Sequence, residues 1–358
     1  GTTISSGTLT LGNGADTGSI TGDVLNNGTL VFNNPGTQTF TGVISGGGQL
    51  RKSSLGTEIL TGSNTYAGTT TVTGGTLLVN GDQTAATGLT NVTGGTLGGS
   101  GTIGGDVTVA AGASLASGGA ASTPGTLNIA GDLTLTDATT KLVYEFGQAN
   151  LPGGTLNDLV KVGGNIDLAG ATLDMASSAP SFGPGLYRVV DYTGTRTGTL
   201  TLGAEPAGAS FSVQTSVDKQ VNLVNTAGLT LNVWDGDAGG RNDNDVAGGA
   251  GTWQGGGAGG NDNWTLADGS VNAAFADSAF AIFTKTGGIV TLDDTTAGPI
   301  NVSGMQFDAT AGVQGAQERI AGKVDQRRAV AAQSDQRTDL DAVQVQHESR
   351  RRNGYRTG

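Results

Sequence analysis

The sequence predicts an all-β chain folded as a parallel β-helix, a solenoid in which each turn of backbone stacks on the one before. Three observations point there. Thr71 to Leu77 (TVTGGTL) returns at Asn91 to Leu97 (NVTGGTL), an offset of 20 residues. One phrase, a glycine and a small polar residue followed by two apolar residues with a polar one between, recurs through the first 232 residues. Aromatic residues make up only 5% of the chain, which suits a narrow interior better than the wide core of a β-sandwich built from hairpins. A period near twenty, made of strands too short to be stable in pairs, belongs to architectures that bury a seam only by stacking.

The elements follow in order. GTLTLG at Gly7 supplies Leu9 and Leu11, GTLVFN at Gly28 supplies Leu30 and Phe32, and GTLLVN at Gly75 supplies Leu77 and Val79. GDVTVA at Gly105, GTLNIA at Gly125, GDLTLT at Gly131, GNIDLA at Gly164, GATLDM at Gly170 and GTLTLG at Gly198 continue the series to GLTLNV at Gly228. Strict alternation sends each apolar pair to one face of a strand and the Thr or Asn between them to the other. Leu9, Leu30 and Leu50 are spaced by one turn each, so about ten or more coils are expected, held together by a stacked aliphatic seam. Gly183 to Asn225 reads as a less regular end of the same solenoid, with longer strands and more Tyr and Phe.

From Trp234 the texture changes. All 3 tryptophans of the chain fall in WDGDAGGRNDNDVAGGAGTWQGGGAGGNDNW, whose Asp/Asn/Gly-rich interior reads as a long surface loop. Residues 233–313 are expected to continue the solenoid, and 314–358 form an irregular or disordered basic tail. Residues 318–358 hold half of the chain's 18 Lys and Arg and its only His, His347. The abrupt shift there to Arg, Gln and Ala suggests an aberrant or out-of-frame end.

Composition excludes several functions. A formal net charge of −12 denies nucleic acid its basic footprint. Cys is absent, so no disulfide or thiolate chemistry exists, and a lone His in the tail leaves no imidazole for a Ser-His-Asp site. Zinc needs clusters of His and Cys. The glycine runs lack the Lys-Ser/Thr of a phosphate loop. Glycosidase chemistry asks for two carboxyl groups at fixed separation. The sparse acids of the solenoid are Asp106, Asp132, Asp158, Asp167 and Asp174, with Lys161 and Arg188 as the few cations nearby. Asp167 and Asp174 are the pair that would have to share a face, although solvated outward carboxylates that discourage edge pairing explain them better. Gly256 to Trp264 faintly resembles a calcium nonapeptide, but Asn261 stands where Asp is required, Asp262 is one residue late, and there is a single copy. Asn301-Val302-Ser303 matches a glycosylation acceptor without further support. No catalytic, cofactor-binding or metal-binding residue is assigned, no cofactor is expected, and the chain is read as not an enzyme.

Leu60 to Gly81, LTGSNTYAGTTTVTGGTLLVNG, closely resembles the passenger-associated β-strand repeat of bacterial autotransporters, the type V secreted proteins. Trp234–Gly236, Gly251–Trp253, Asn263–Trp264, Ala279–Phe283, Gly288–Leu292 and Val302–Phe307 are similar to a second phrase of the same passengers. The resemblance covers most of residues 1–310 and implies a right-handed parallel β-helix, exported and then displayed on the outer membrane or released. It implies an adhesin, a self-association module or a structural stalk. Its partners would be glycans or proteins of host or bacterial surfaces, or further copies. Hydrolytic passengers on the same scaffold are the alternative. A β-barrel translocator of about a dozen alternating strands is expected by the resemblance and has no counterpart in this sequence. Gly1 is not an initiator Met and no signal segment follows it, so a processed chain or a fragment is expected, and periplasmic residence if the barrel is truly missing.

Overall fold

The structure, a computed structural model, describes residues 1–119, 123–178, 183–206, 211–257 and 259–307, together with the backbone of 345–347. All regular elements among them are β-strands. The chain divides into two compact units, Gly1–Ala227 and Gly228–Gly358.

The first unit is a parallel β-helix with three strand-bearing faces. One face is a nine-stranded sheet that begins with Thr8–Leu11, Thr29–Phe32, Gln49–Lys52, Thr70–Val72 and Thr90–Val92 and ends with Ile166–Asp167 and Arg196–Thr197. The second is an eight-stranded sheet from Gln38–Phe40 to Thr201–Leu202. The third consists of a three-stranded piece (Thr2–Ile4, Val24–Asn26, Ile44–Ser45) and a seven-stranded piece that starts at Asp82–Gln83. Strands one coil apart pair in parallel, Leu9 with Leu30, Leu30 with Leu50, and Leu77 with Leu97. Nine strands on the first face mean nine coils in this unit.

The alternation in the sequence explains the packing. Leu30 and Phe32, Leu77 and Val79, Val107 and Val109, Leu127 and Ile129, Leu133 and Leu135 are all buried, and they belong to one continuous core running from Ile4 to Leu223. A strand of this kind gains little from its own few residues. Burying apolar side chains above and below, at about 1.5–3 kcal/mol for each large one, is what makes the coil hold.

The repeated glycine pair has a geometric cause. Gly75 and Gly95 both sit at positive φ (62° and 74°), and a Cβ at either would come within 2.3 Å of a carbonyl oxygen of the preceding coil. Only glycine serves there, because it tolerates the left-handed backbone and the close approach together.

Coil length is not constant. Ile44 donates to Asn64 across 20 residues, whereas Asp132 donates to Asp106 across 26 and Asn165 to Asp132 across 33. The strands are held in register by their ladders, so added residues collect at the corners. One such excursion is tied down by buried Asn157, which accepts from Gly147 and Gln148 and donates to the carbonyls of Gln148 and Leu151.

The irregular end expected at Gly183 to Asn225 departs from parallel order. Gly185–Tyr192 runs parallel to Leu159–Val162, but Gln220–Asn225 pairs with it antiparallel, and Phe211–Gln214 pairs antiparallel with Gln220–Asn225. Lys219 at φ 61° and a bond from Gln220 N–H to the Val217 carbonyl reverse the chain just before the last long strand.

The second unit contains a mixed five-stranded sheet in the order Asn272–Ala273, Trp264–Thr265, Val233–Trp234, Phe280–Phe283, Gly304–Phe307. Beside it, Gly251–Gln254 pairs in parallel with Val290–Asp293. Trp234, Trp253, Trp264, Phe275 and Phe283 form its aromatic core, with ring centroids 4.6–5.9 Å apart. The stretch between the tryptophans keeps an exposed surface at Asp237, Ala238, Asp243, Asn244 and Asp245, as expected of a loop, but its two ends and Asn272 close a polar interior that was not expected. Asp235 is 0% exposed, Asn263 2% and Asn272 0%. Arg241 lies among them and donates to the carbonyls of Asp235, Gly236, Gly239 and Gly240 and to the side chains of Asn263 and Asp262. Small, polar and glycine-rich residues read as loop because they lack apolar periodicity, yet here a guanidinium supplies the donors that let their carbonyls be buried. The basic tail from residue 314, its out-of-frame reading included, lies outside the described residues. The exception is the backbone of Val345–His347, which runs parallel to Val290–Leu292.

Candidate binding face

The outward side chains of the nine-stranded face form one straight row. Register runs from Thr10 to Val31, Arg51, Thr71, Asn91, Thr108, Thr134, Asp167 and Thr197, each directly beside the next. Parity decides the row. Leu50 and Lys52 point inward with Leu30 and Phe32, so Arg51 between them points out. At the start of the row the surface sinks into an open groove lined by Thr8, Thr29, Val31, Gln49, Leu50, Arg51, Thr71 and Thr73.

Polar side chains at the corners are otherwise occupied. Asp106 accepts from the N–H of Asp132, Asp132 from the N–H of Asn165, and Asn165 from the N–H of Thr195, at 2.9, 2.7 and 2.9 Å. Asn27 accepts from Gly47 and Asn80 from Ser100 in the same way. Thr73 and Thr93 hydroxyls donate to the carbonyls of Lys52 and Val72 one coil back. These bonds satisfy backbone groups at the corners that the sheets leave unpaired.

The acids singled out from the sequence are therefore mostly structural. Asp158, 2% exposed, accepts from the N–H groups of Gly125 and Glu145, and burial pushes its carboxyl up to about 7. Asp174 is partly desolvated, but an ion pair with Lys141 at 2.7 Å and a bond from the Ala204 N–H hold its carboxyl below the usual range. Asp167 is on the nine-stranded face and Asp174 on the eight-stranded one, so the pair does not share a face. Lys161 is exposed on the third face between Asn128 and Asp191. Arg188 donates to Asn222 at 2.7 Å and pairs with Asp191. In the segment resembling a calcium loop, Asp262 faces Arg241 at 3.4 Å, and Asn261 donates its side-chain amide to the Thr252 carbonyl and its backbone N–H to the Gln254 side chain. Among the described residues no three His, Cys, Asp or Glu side chains are grouped for a metal.

Two buried ionisable residues went unnoticed in the sequence. Lys52 (1% exposed) and Glu58 (2% exposed) lie inside the solenoid. The Lys52 ammonium donates to the carbonyls of Ser53, Ser54 and Gly74, which uses its three protons. Burial pushes the Glu58 carboxyl up to about 7 against the opposing pull of Asn34 and Lys52. The signal was present in QLRK, since Lys52 shares the inward parity of Leu50.

A three-faced coil of parallel strands carrying this repeat defines a class. Residues 50–79 match the model of the passenger-associated transport repeat, and the chain belongs to the autotransporter passenger domains. Over 296 residues, 82% of this chain, it is 49% identical to the adhesin BmaC autotransporter of Brucella suis biovar 1 (strain 1330). The matched stretch spans 9% of that curated relative's length.

Proposed function

We propose that the chain is part of a non-enzymatic, surface-displayed or secreted passenger that attaches the cell to another surface. The observation that carries this reading is the 49% identity over most of the chain to a protein named as an adhesin. The outward row of the first face supports it. The side chains of Thr71, Asn91, Thr108 and Thr134 stand in register on adjacent strands, a regular surface for many weak polar contacts. The hydrolytic alternative draws less support, because Asp167 and Asp174 stand on separate sheets and Asp106, Asp132 and Asp158 are committed to backbone N–H groups. Localisation at the outer membrane or outside the cell goes with the same reading.

The test is attachment. Beads coated with the purified 358-residue chain are expected to bind cultured host cells or bacterial cells above beads coated with an unrelated acidic protein. Free chain added in excess is expected to compete. Beads that bind no better than the control sink the proposal.

A further inference from the structure

We infer that the groove at Arg51 binds an acidic saccharide, with a uronate-type carboxylate on the guanidinium; this deepens the adhesive reading and rests on it. Four features of the groove converge.

The first is an uncommitted cation. Arg51 is exposed and makes no hydrogen bond or ion pair within the described residues. Its neighbours in register are Val31 and Thr71, neither of which carries charge. The nearest carboxylate in its row is Asp167, five strands further along, or about 24 Å at the spacing of adjacent strands. In a chain of net charge −12, a guanidinium standing clear of every acid in its row is available to an anion from outside.

Second, the groove presents polar groups with no structural duty. Thr8, Thr29, Gln49 and Thr71 line it, and their hydroxyl and amide groups have no protein partner among the described residues. Among the groove's hydroxyls that of Thr73 is tied, donating to the Lys52 carbonyl. Hydroxyl and amide groups both donate and accept, which is the requirement for reading sugar hydroxyls.

Third, Val31 gives the floor an apolar patch at 9% exposure, against which the C–H face of a ring can rest. Fourth, the lining residues come from four adjacent strands of the sheet, so an extended chain can lie across successive strands. A guanidinium grips a carboxylate through two parallel, charge-assisted hydrogen bonds. A neutral sugar would cover the guanidinium without returning a charge to it. Long nucleic acids are repelled by the net charge of the chain.

The experiment is calorimetric titration of the full chain with a short oligogalacturonate, with its neutral galactose counterpart and inorganic phosphate as comparison arms. Saturable, salt-sensitive binding of the oligogalacturonate is expected, with none of the neutral sugar or phosphate at the same concentration. Arg51→Gln is expected to weaken binding by about tenfold or more, the size of a charge-assisted hydrogen bond. Arg51→Lys, which keeps the charge and loses the fork, should fall between. Lys161→Gln, on another face, should change nothing. Because Arg51 supports no other residue, the variants are expected to melt with the wild type, which separates lost contacts from lost fold. Equal binding of acidic and neutral sugars, no binding, or full binding by Arg51→Gln overturns the inference. Cell attachment that survives Arg51→Gln unchanged also overturns it and leaves the adhesive reading standing. Oligogalacturonate binding without any cell attachment keeps the groove and removes that reading.

Discussion

Leu77 and Leu97 occupy the same position on adjacent parallel strands, one directly over the other, and both are buried to within 1%. That one stacking relation, repeated coil after coil, is the source of the first unit's stability. Leu97→Ala should therefore cost about 2–5 kcal/mol, the range for emptying a well-packed leucine site, measured by denaturant unfolding. Thr71→Ala, on the outward row of the nine-stranded face, should stay within about 0.5 kcal/mol of the wild type. Equal effects from the two would mean that inward and outward parity have been misassigned.

The carboxylates at the corners hold backbone, and substitution should show it. Asp132→Ala removes the acceptor for the Asn165 N–H at a partly solvated corner. A loss of about 0.5–1.5 kcal/mol is expected. Asp132→Asn keeps an acceptor oxygen and should recover most of the loss, an ordering that a purely electrostatic role would not produce.

Acidity should stabilise the first unit over a defined range. Burial raises Glu58 from 4.5 and Asp158 from 3.8, each to about 7. The folded chain thus binds more protons than the unfolded chain between those values, and stability must fall as pH rises from about 4.5 through 7. Asp174, lowered through its Lys141 pair, works in the opposite sense and loses its contribution as pH drops below its ordinary 3.8. Thermal melts should therefore peak near about pH 4–5 and drop by a few degrees towards pH 8. Glu58→Gln, which cannot ionise, should flatten the slope above pH 5. A slope unchanged in both Glu58→Gln and Asp158→Asn would refute the assignment.

Arg241 organises the second unit. Its side chain is 10% exposed and lies 3.8 Å from a buried Asp235 carboxyl oxygen. Arg241→Ala leaves the Asp235 carboxylate with only the Ala247 N–H and the Asn272 amide and removes the donor from several carbonyls, at an expected cost of about 3 kcal/mol or more. Arg241→Lys should rescue little, since one ammonium cannot replace the fork. The tryptophans make the experiment selective. Trp234, Trp253 and Trp264 are the only 3 in the chain, so their fluorescence reports this unit while circular dichroism follows the whole.

Much of this was legible beforehand. The offset between Val72 and Val92 is the register of their strands, and most apolar members of the phrases are buried, with Leu9, Leu202 and Leu229 half-buried. Corner geometry was not legible. Nothing in the local pattern said that Asp132 would reach the backbone 33 residues ahead, because a corner's length is free to vary while the strands on either side stay aligned. The antiparallel return at Gln220–Asn225 was missed for a related cause: alternation specifies which face a residue takes and is silent on strand direction. The polar interior around Arg241 escaped because apolar periodicity is the signal for burial, and a core satisfied by a guanidinium carries none.

By itself, then, the sequence determined the repeating strand, its inward and outward sides and the glycines where one coil touches the next, since all three depend on chain-local sterics and parity. Only the tertiary structure decided which polar groups are engaged and which stand open. Asp106 and Asp132 look no different from other surface acids until the neighbouring coil arrives, and parity turns Arg51 outward without saying that no acid will stand beside it. Hydrogen bonding between coils depends on residues twenty or more apart meeting in space, and no neighbour in the chain carries that information.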